Sequence, residues 1–445
     1  MTNNNWELVK LGDILNFKTG RLDSNAATLN GEYPFFTCSP ETLSINSYAF
    51  DDEAVLLAGN NANGVFSVKY YIGKFNAYQR TYVITSKDRN LVSIRWLYFR
   101  IKHVTAELQK MSVGTATKFL TKKILDNFEI RLPTLIEQES IANILWSLQS
   151  QIDINIQINQ TLESIAQAIF KSWFIDFDPV RAKIAAKLEG ADPEIAAMCV
   201  ISGKSEAELK KMPEDDFAEL QATAALFPDE LVESELGDLP RGWFKTDLSI
   251  LADLNIQSWT KKNCPEKVNY VDLSNTKWGV IQKIEEFTFD NAPSRARRVL
   301  KIGDTIVGTV RPANGSYAFI QRESLTGSTG FAVLSPKYKN YAEFVYIVAT
   351  DKENIKRLAH LADGGAYPAV SYDTVLTTPC ILPIETKDRD RILALFHKNV
   401  NGFYSLLAAK TQENKYLVDT RDSLLPKLLS GELEVSDLQG EGIDG

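Results

Sequence analysis

The sequence predicts an α+β fold in which two repeated β-rich domains are joined by two long helices that pair as a coiled coil. Three observations carry this reading. Residues 137–175 place Ile141, Leu145, Leu148, Ile152, Leu162, Ala166 and Ile169 four and three residues apart, with Asn155 and Asn159 completing the series. Residues 389–430 hold a second series at Ile392, Phe396, Asn399, Phe403, Leu406, Leu417, Leu424 and Leu428. The pattern that leads into the first helix begins again at Leu239 and leads into the second. A helix of the first length spans ~60 Å at about 1.5 Å per residue, more than one globular core covers, so it needs a partner along its length. The two series align at an offset of 251 early (Ile141 with Ile392) and 255 later (Leu162 with Leu417), and four extra residues make a stutter that a supercoil absorbs.

Taken in order, Trp6–Phe17 reads as an opening strand and a short helix. Alternating or apolar runs at Tyr33–Thr37, Ala54–Ala58, Val65–Tyr71 and Thr81–Thr85 read as strands between Gly and Asn turns. A helix over about Ser93–Lys110, a polar loop from Val113 to Lys118 and a last strand at Phe128–Leu132 follow, and Pro133 ends the domain. Beyond the long helix, the aromatic cluster Phe170–Phe177 is closed by Asp178-Pro179, then come Ala- and Glu-rich helical pieces without strand signal. In the second domain Trp243–Leu254 echoes Trp6–Phe17, Lys301–Thr309 echoes Asp52–Ala58, Asn314-Gly315 stands for Asn63-Gly64, Gly365 for Gly114, and Ile381–Pro383 for Arg131–Pro133. The chain therefore divides into a first domain over 1–134, a central helix over 135–181, an acidic helical insert over 182–238, a second domain over 239–385, a C-terminal helix over 386–435 and a flexible tail over 436–445. A skeleton repeated with different loops is the pattern of one scaffold carrying two specificities.

A net charge of −8 argues against nucleic acid until it is divided along the chain. Residues 182–239 carry 5 basic against 14 acidic side chains, whereas between Asn60 and Lys123 twelve lysines and arginines face only Asp88 and Glu107. A stretch this lopsided suits phosphate contact, and a solvated basic face is its plainer reading. The four cysteines are scattered without a C-x-x-C pair, so neither zinc nor a disulfide framework is expected. Met1–Glu7 lacks the features of an export signal and no apolar run reaches membrane-spanning length, so the chain reads as cytoplasmic. There is no phosphate-binding G-x-x-x-x-G-K-[ST], no glycine-rich cofactor turn and no Asn/Asp-Pro-Pro-aromatic motif, and only three histidines. No cofactor is expected. Asp176 and Asp178 could pass for a metal pair, but Asp178 precedes proline and the two read as a helix-end turn.

The layout, together with LPTLIEQESIANIL (Leu132–Leu145), FKSWFIDFDPVRAK (Phe170–Lys183), SELGDLPRGW (Ser234–Trp243) and LLPKLLSGELEV (Leu424–Val435), resembles the specificity subunit of type I restriction–modification enzymes over nearly the whole chain. The resemblance implies that the β-rich domains are target-recognition domains, each reading one half of a split, asymmetric site in double-stranded DNA, and that the helices form an antiparallel coiled coil fixing their separation. It also implies two methyltransferase subunits docked on this core and restriction subunits joining them. The sequence departs from the family at Lys387-Asp388, where Glu137-Gln138 has no copy.

The DNA-binding candidates are polar and basic residues in loops that differ between the repeats: Asn60, Asn61, Asn63, Lys69, Gln79, Arg80 and Lys118 in the first domain, and Arg295, Arg297, Arg298, Arg311, Asn314 and Tyr367 in the second. Asn and Gln can pair bidentately with adenine and Arg with guanine, while Lys suits phosphate. Asn-Gly is also an ordinary turn. Asn155 and Asn159 read as a register device in the seam rather than as ligands. Two other classes stay open: a one-chain nuclease or methyltransferase, which would bind a cofactor in isolation, and a protein-only scaffold, which would show no salt-dependent DNA binding.

Overall fold

The computed structural model describes residues 6–61, 66–235, 237–362 and 368–436. The tail from residue 437, with Asn63, Gly64, Gly365 and Tyr367, lies outside them. The chain forms two compact units, one of residues up to Ile156 together with those from Thr411 onward, the other of Gln157–Lys410. Both long helices are continuous through the boundary, Leu135–Phe174 and Thr386–Ser430. No helix among the described residues is long and apolar enough to cross a membrane.

In the first unit a six-stranded sheet runs in the order Leu15–Thr19, Thr81–Ser86, Phe50–Ala58, Val68–Ala77, Tyr33–Phe36, Leu43–Ile45. The last five residues of Phe50–Ala58 are all buried, which explains a continuous apolar run where an alternating one would suit a half-exposed strand. Helix Ile94–Met111, capped by the Ser93 hydroxyl accepting from the Trp96 N–H, covers one face with Trp96, Leu97, Phe99 and Leu108. Strand Glu7–Lys10 pairs antiparallel with Glu129–Leu132, bringing the start of the domain back to the start of the central helix. That helix opens with a reciprocal cap: Glu137 accepts from the Thr134 N–H (2.8 Å) and hydroxyl (2.7 Å), and also from Trp6 Nε1 (3.3 Å). Burial pushes the Glu137 carboxyl up, but these hydrogen bonds outweigh it and hold it below its ordinary value. The next residue, Gln138, is wholly buried; its oxygen accepts from the Ser93 N–H (2.9 Å) and its amide donates to the carbonyls of Leu91 and Pro133 (2.9 Å each). The domain core is then closed by Ile141, Ala142 and Leu145 from one long helix and Leu428 and Leu429 from the other.

Between the helices of this unit, Asn155 donates to the Asn414 side chain (2.9 Å), Asn414 donates to the Ile152 carbonyl (3.2 Å), and Arg421 donates to Gln149 (2.6 Å). Numbers rise on one helix as they fall on the other, so the pair is antiparallel. A fully buried asparagine bonded across the seam is satisfied in this register alone, which is how such a residue selects alignment.

The second unit rebuilds the domain around strands Ala252–Leu254, Phe331–Pro336, Thr305–Gly308 and Tyr317–Phe319, and adds a second four-stranded sheet from residues 267–328. In place of one helix it has two, Ala342–Thr350 and Lys352–Ala362, divided at Asp351, whose carboxylate accepts from the Glu353 N–H (2.9 Å). Phe170, Trp173 and Phe174 of the central helix close on Phe344 and Phe396 with ring centroids 4.9–6.2 Å apart. The acidic segment forms helices Asp178–Glu189, Pro193–Ser202, Glu206–Leu209 and Glu214–Ala224. They are anchored by buried Lys183, which bonds Glu194 (2.6 Å) and the Phe227 carbonyl (2.9 Å). Phe177, at φ 55°, turns the chain between the central helix and this segment, and Asp176 pairs with Lys171.

The second seam departs from the expected spacing. Ile392 and Phe396 are buried, but Asn399 is exposed and Val400 takes its place; Tyr404 is more buried than Phe403, and Leu406 is 43% exposed. The buried residues here are Ile392, Leu393, Phe396, Val400 and Tyr404, which depart from the four-and-three alternation of a seam wound around a single partner, because this part of the helix is pressed on a globular core that includes Phe344.

Candidate nucleic-acid interface

The two domains share a backbone frame at the end of their central strand. In the first, the Gly59 N–H donates to the Arg80 carbonyl (2.7 Å) and the Leu120 N–H to the Gly59 carbonyl (2.9 Å); in the second, Thr309 N–H donates to Gly330 (2.9 Å) and Val370 N–H to Thr309 (3.0 Å). Each partner in the second set lies 250 positions after its counterpart (59 and 309, 80 and 330, 120 and 370). The adjoining ladders keep the same shift, with Val55 opposite Ile84 and Thr305 opposite Leu334, and so do the pairs Asn60 with Phe119 and Val310 with Ala369. The backbone has been kept and the side chains exchanged: Asn61 stands where Arg311 does, Arg80 where Gly330 does, Lys118 where Pro368 does, and Phe119 where Ala369 does.

In the first domain this frame gathers residues far apart in sequence. Asn60 and Asn61 pair with Lys118-Phe119, and the Arg80 guanidinium lies 5.3 Å over the Phe119 ring, which holds a long side chain in one orientation. Gly59 has no room for a side chain, since an added Cβ would sit 2.5 Å from the Arg80 carbonyl. Gln79, next to Arg80, donates to Asp23 (3.3 Å). Lys69 is not brought to the group: its ammonium bonds the Glu41 carbonyl (2.7 Å) and the Thr42 hydroxyl (3.1 Å), and burial lowers its pKa despite Glu41.

In the second domain Arg311, at φ 47°, donates its N–H to the Pro368 carbonyl (2.9 Å) and accepts from the Asn314 N–H (2.9 Å), so both sit on one exposed turn. Arg295 is exposed beside it, its carbonyl accepting from Thr329, the neighbour of Gly330, and its guanidinium 3.9 Å from Asp272. Arg298 lies over Tyr372 (5.1 Å), whose hydroxyl bonds the Thr329 carbonyl, and donates to Ser258 (3.2 Å). Arg297 is placed against Phe289 (4.6 Å) and is not brought to this turn. Sequence reasoning missed Phe119 as the platform under Arg80. Its signal was an aromatic beside a lysine in a basic loop, readable only once the pairing with Asn60 is known.

Among the described residues no group of acidic, histidine or cysteine side chains is arranged to hold a metal. A guanidinium, amides and an ammonium gathered by the strand pair of Asn60-Asn61 with Lys118-Phe119 can instead hydrogen-bond base edges and phosphates. The family described as the type I restriction modification DNA specificity domain matches residues 3–164. The chain is 30% identical over 375 residues to the HindI specificity subunit of Haemophilus influenzae, covering 79% of this chain and 80% of that protein. It is 40% identical over 168 residues to the EcoDI specificity subunit of Escherichia coli, covering 37% and 36%. In fold it is similar to the type I restriction–modification S subunit from M. genitalium, with a TM-score of 0.60 and 15% identity over 96% of this chain and 97% of that one. A duplicated domain closed by the ends of two long helices, in a chain aligned over most of its length with such a relative, makes this protein a member of the type I restriction enzyme specificity subunits.

Proposed function

We propose that the chain is the sequence-recognition subunit of a type I restriction–modification complex and that each domain reads one half of a split, asymmetric site in duplex DNA. What supports this is the shared frame: identical backbone bonds present Asn60, Asn61, Arg80 and Lys118 in one domain and Arg295, Arg311 and Asn314 in the other. Arg80, Arg295 and Arg311 are exposed donors suited to guanine, the asparagines to adenine, and Lys118 to phosphate. The chain itself neither cuts nor methylates; two methyltransferase subunits dock on it, restriction subunits join them, and the complex works in the cytoplasm. The acidic helices after Asp178 repel phosphate and keep DNA from that face.

Exchanging residues 20–130 for those of another first domain, and sequencing the methylome of a host that carries the variant with its methyltransferase, tests the reading. One half of the methylated site changes and the other stays. A change in both halves, or in neither, rejects it.

A further inference from the structure

The hairpin Thr276–Lys277/Val280–Ile281 turns through Trp278 and Gly279, whose φ angles are 48° and 86°. Two left-handed residues make the tight hairpin turn that ordinarily carries Asn-Gly, because a bulky side chain is disfavoured at the first position. Tryptophan at that position is a conformational cost, and the core does not call for it, since Trp278 is 56% exposed. The ring is nevertheless held firmly. The Trp278 backbone N–H donates to the Gly315 carbonyl (2.7 Å), the Gly279 N–H donates to the Tyr317 carbonyl (3.0 Å), and the Tyr317 ring meets the indole edge to face at 6.0 Å. The indole lies flat on Gly315, where an added Cβ would be 2.5–2.7 Å from three of its carbons, and Lys277 reaches the Asn314 carbonyl (3.5 Å). The turn that carries Arg311 and Asn314 thus presents a fixed, solvent-facing indole beside its polar groups.

Resting on the reading above, we infer that Trp278 is a specificity-determining residue of the second domain and makes apolar contact with a thymine methyl group in the half-site that domain reads. Apolar side chains recognise thymine through its 5-methyl group in the major groove. Insertion between base pairs needs both ring faces free, and Gly315 occupies one. The basic neighbours Lys277 and Arg311 fit a polyanionic duplex rather than an apolar protein surface.

The test uses the full chain in complex with its methyltransferase subunits, a duplex bearing the methylome-defined site, and the same duplex with its second half scrambled. Trp278→Asn restores the residue this turn favours, so the variant folds at least as stably as the parent. It loses roughly tenfold in affinity for the intact site, with affinity for the scrambled duplex unchanged. Replacing one thymine of the second half by deoxyuridine weakens the parent and leaves Trp278→Asn unaffected. Unchanged affinity for the intact site, a loss that no deoxyuridine reproduces, a second half without thymine, or assembly with the methyltransferase that fails in the absence of DNA each overturns the inference. A parent complex that does not distinguish the two duplexes removes the two-reader proposal itself, a result separate from any of these.

Discussion

The two domains solve one problem with different means. Both end their central strand in the same pair of backbone hydrogen bonds, yet the first fills the frame with an arginine lying over a phenylalanine, while the second has glycine and alanine there and builds outward with a tryptophan hairpin. The anchoring to the long helices differs too. Gln138 satisfies three backbone groups in the first unit, whereas the position 250 residues later, Asp388, is exposed, and the second unit is tied instead through Asp390, which accepts from the Tyr341 hydroxyl. Burial and Asp390 together push that phenol up to about 12. The comparison teaches that main-chain bonds, which do not depend on side-chain identity, preserve a scaffold while the groups it displays diverge.

The largest expected effect sharpens this contrast. Gln138→Ala leaves the Ser93 N–H and the Leu91 and Pro133 carbonyls without their partner and costs about 3 kcal/mol, since each orphaned buried group costs ~1–3 kcal/mol. Asp388→Ala stays within about 0.5 kcal/mol, as exposed substitutions do. Denaturant unfolding of the two variants decides it, and equal losses would mean that the units are anchored alike.

Next comes the seam. Asn155→Leu or Asn414→Leu alone costs about 1–3 kcal/mol because it removes one side of the Asn155–Asn414 bond and leaves the facing amide group in the seam without that partner. The double leucine variant recovers most of that stability and loses the bond that selects register. A double-mutant cycle with no coupling would show that the contact is incidental.

The smallest effect concerns the displayed groups. Arg80→Ala weakens specific binding by roughly 1–3 kcal/mol and relaxes one position of the first half-site if its guanidinium reads a base, or lowers the salt slope by about one if it meets a phosphate. Arg311→Ala does the same for the second half only. Methylome sequencing and salt titration separate these outcomes, and a change in the wrong half would undo the assignment of loops to half-sites.

The apolar spacing from Ile141 to Ile152 and the recurrence of Trp6–Phe17 at Trp243–Leu254 determine by themselves that the chain holds two copies of one domain and two long paired helices, because a core face must repeat at the period of its element. The tertiary structure decided the rest. Beyond Phe396 the buried stripe follows a globular core rather than a partner helix, so Val400 and Tyr404 are covered and Asn399 is not. Asn61 meets Lys118, and Arg80 meets Phe119, only because strand pairing folds distant loops onto one frame, while Lys69 is drawn off to Glu41 and Arg297 to Phe289. Periodicity along a chain reports what each element buries; which exposed side chains meet is set by pairings between residues far apart in sequence, and no local pattern encodes them.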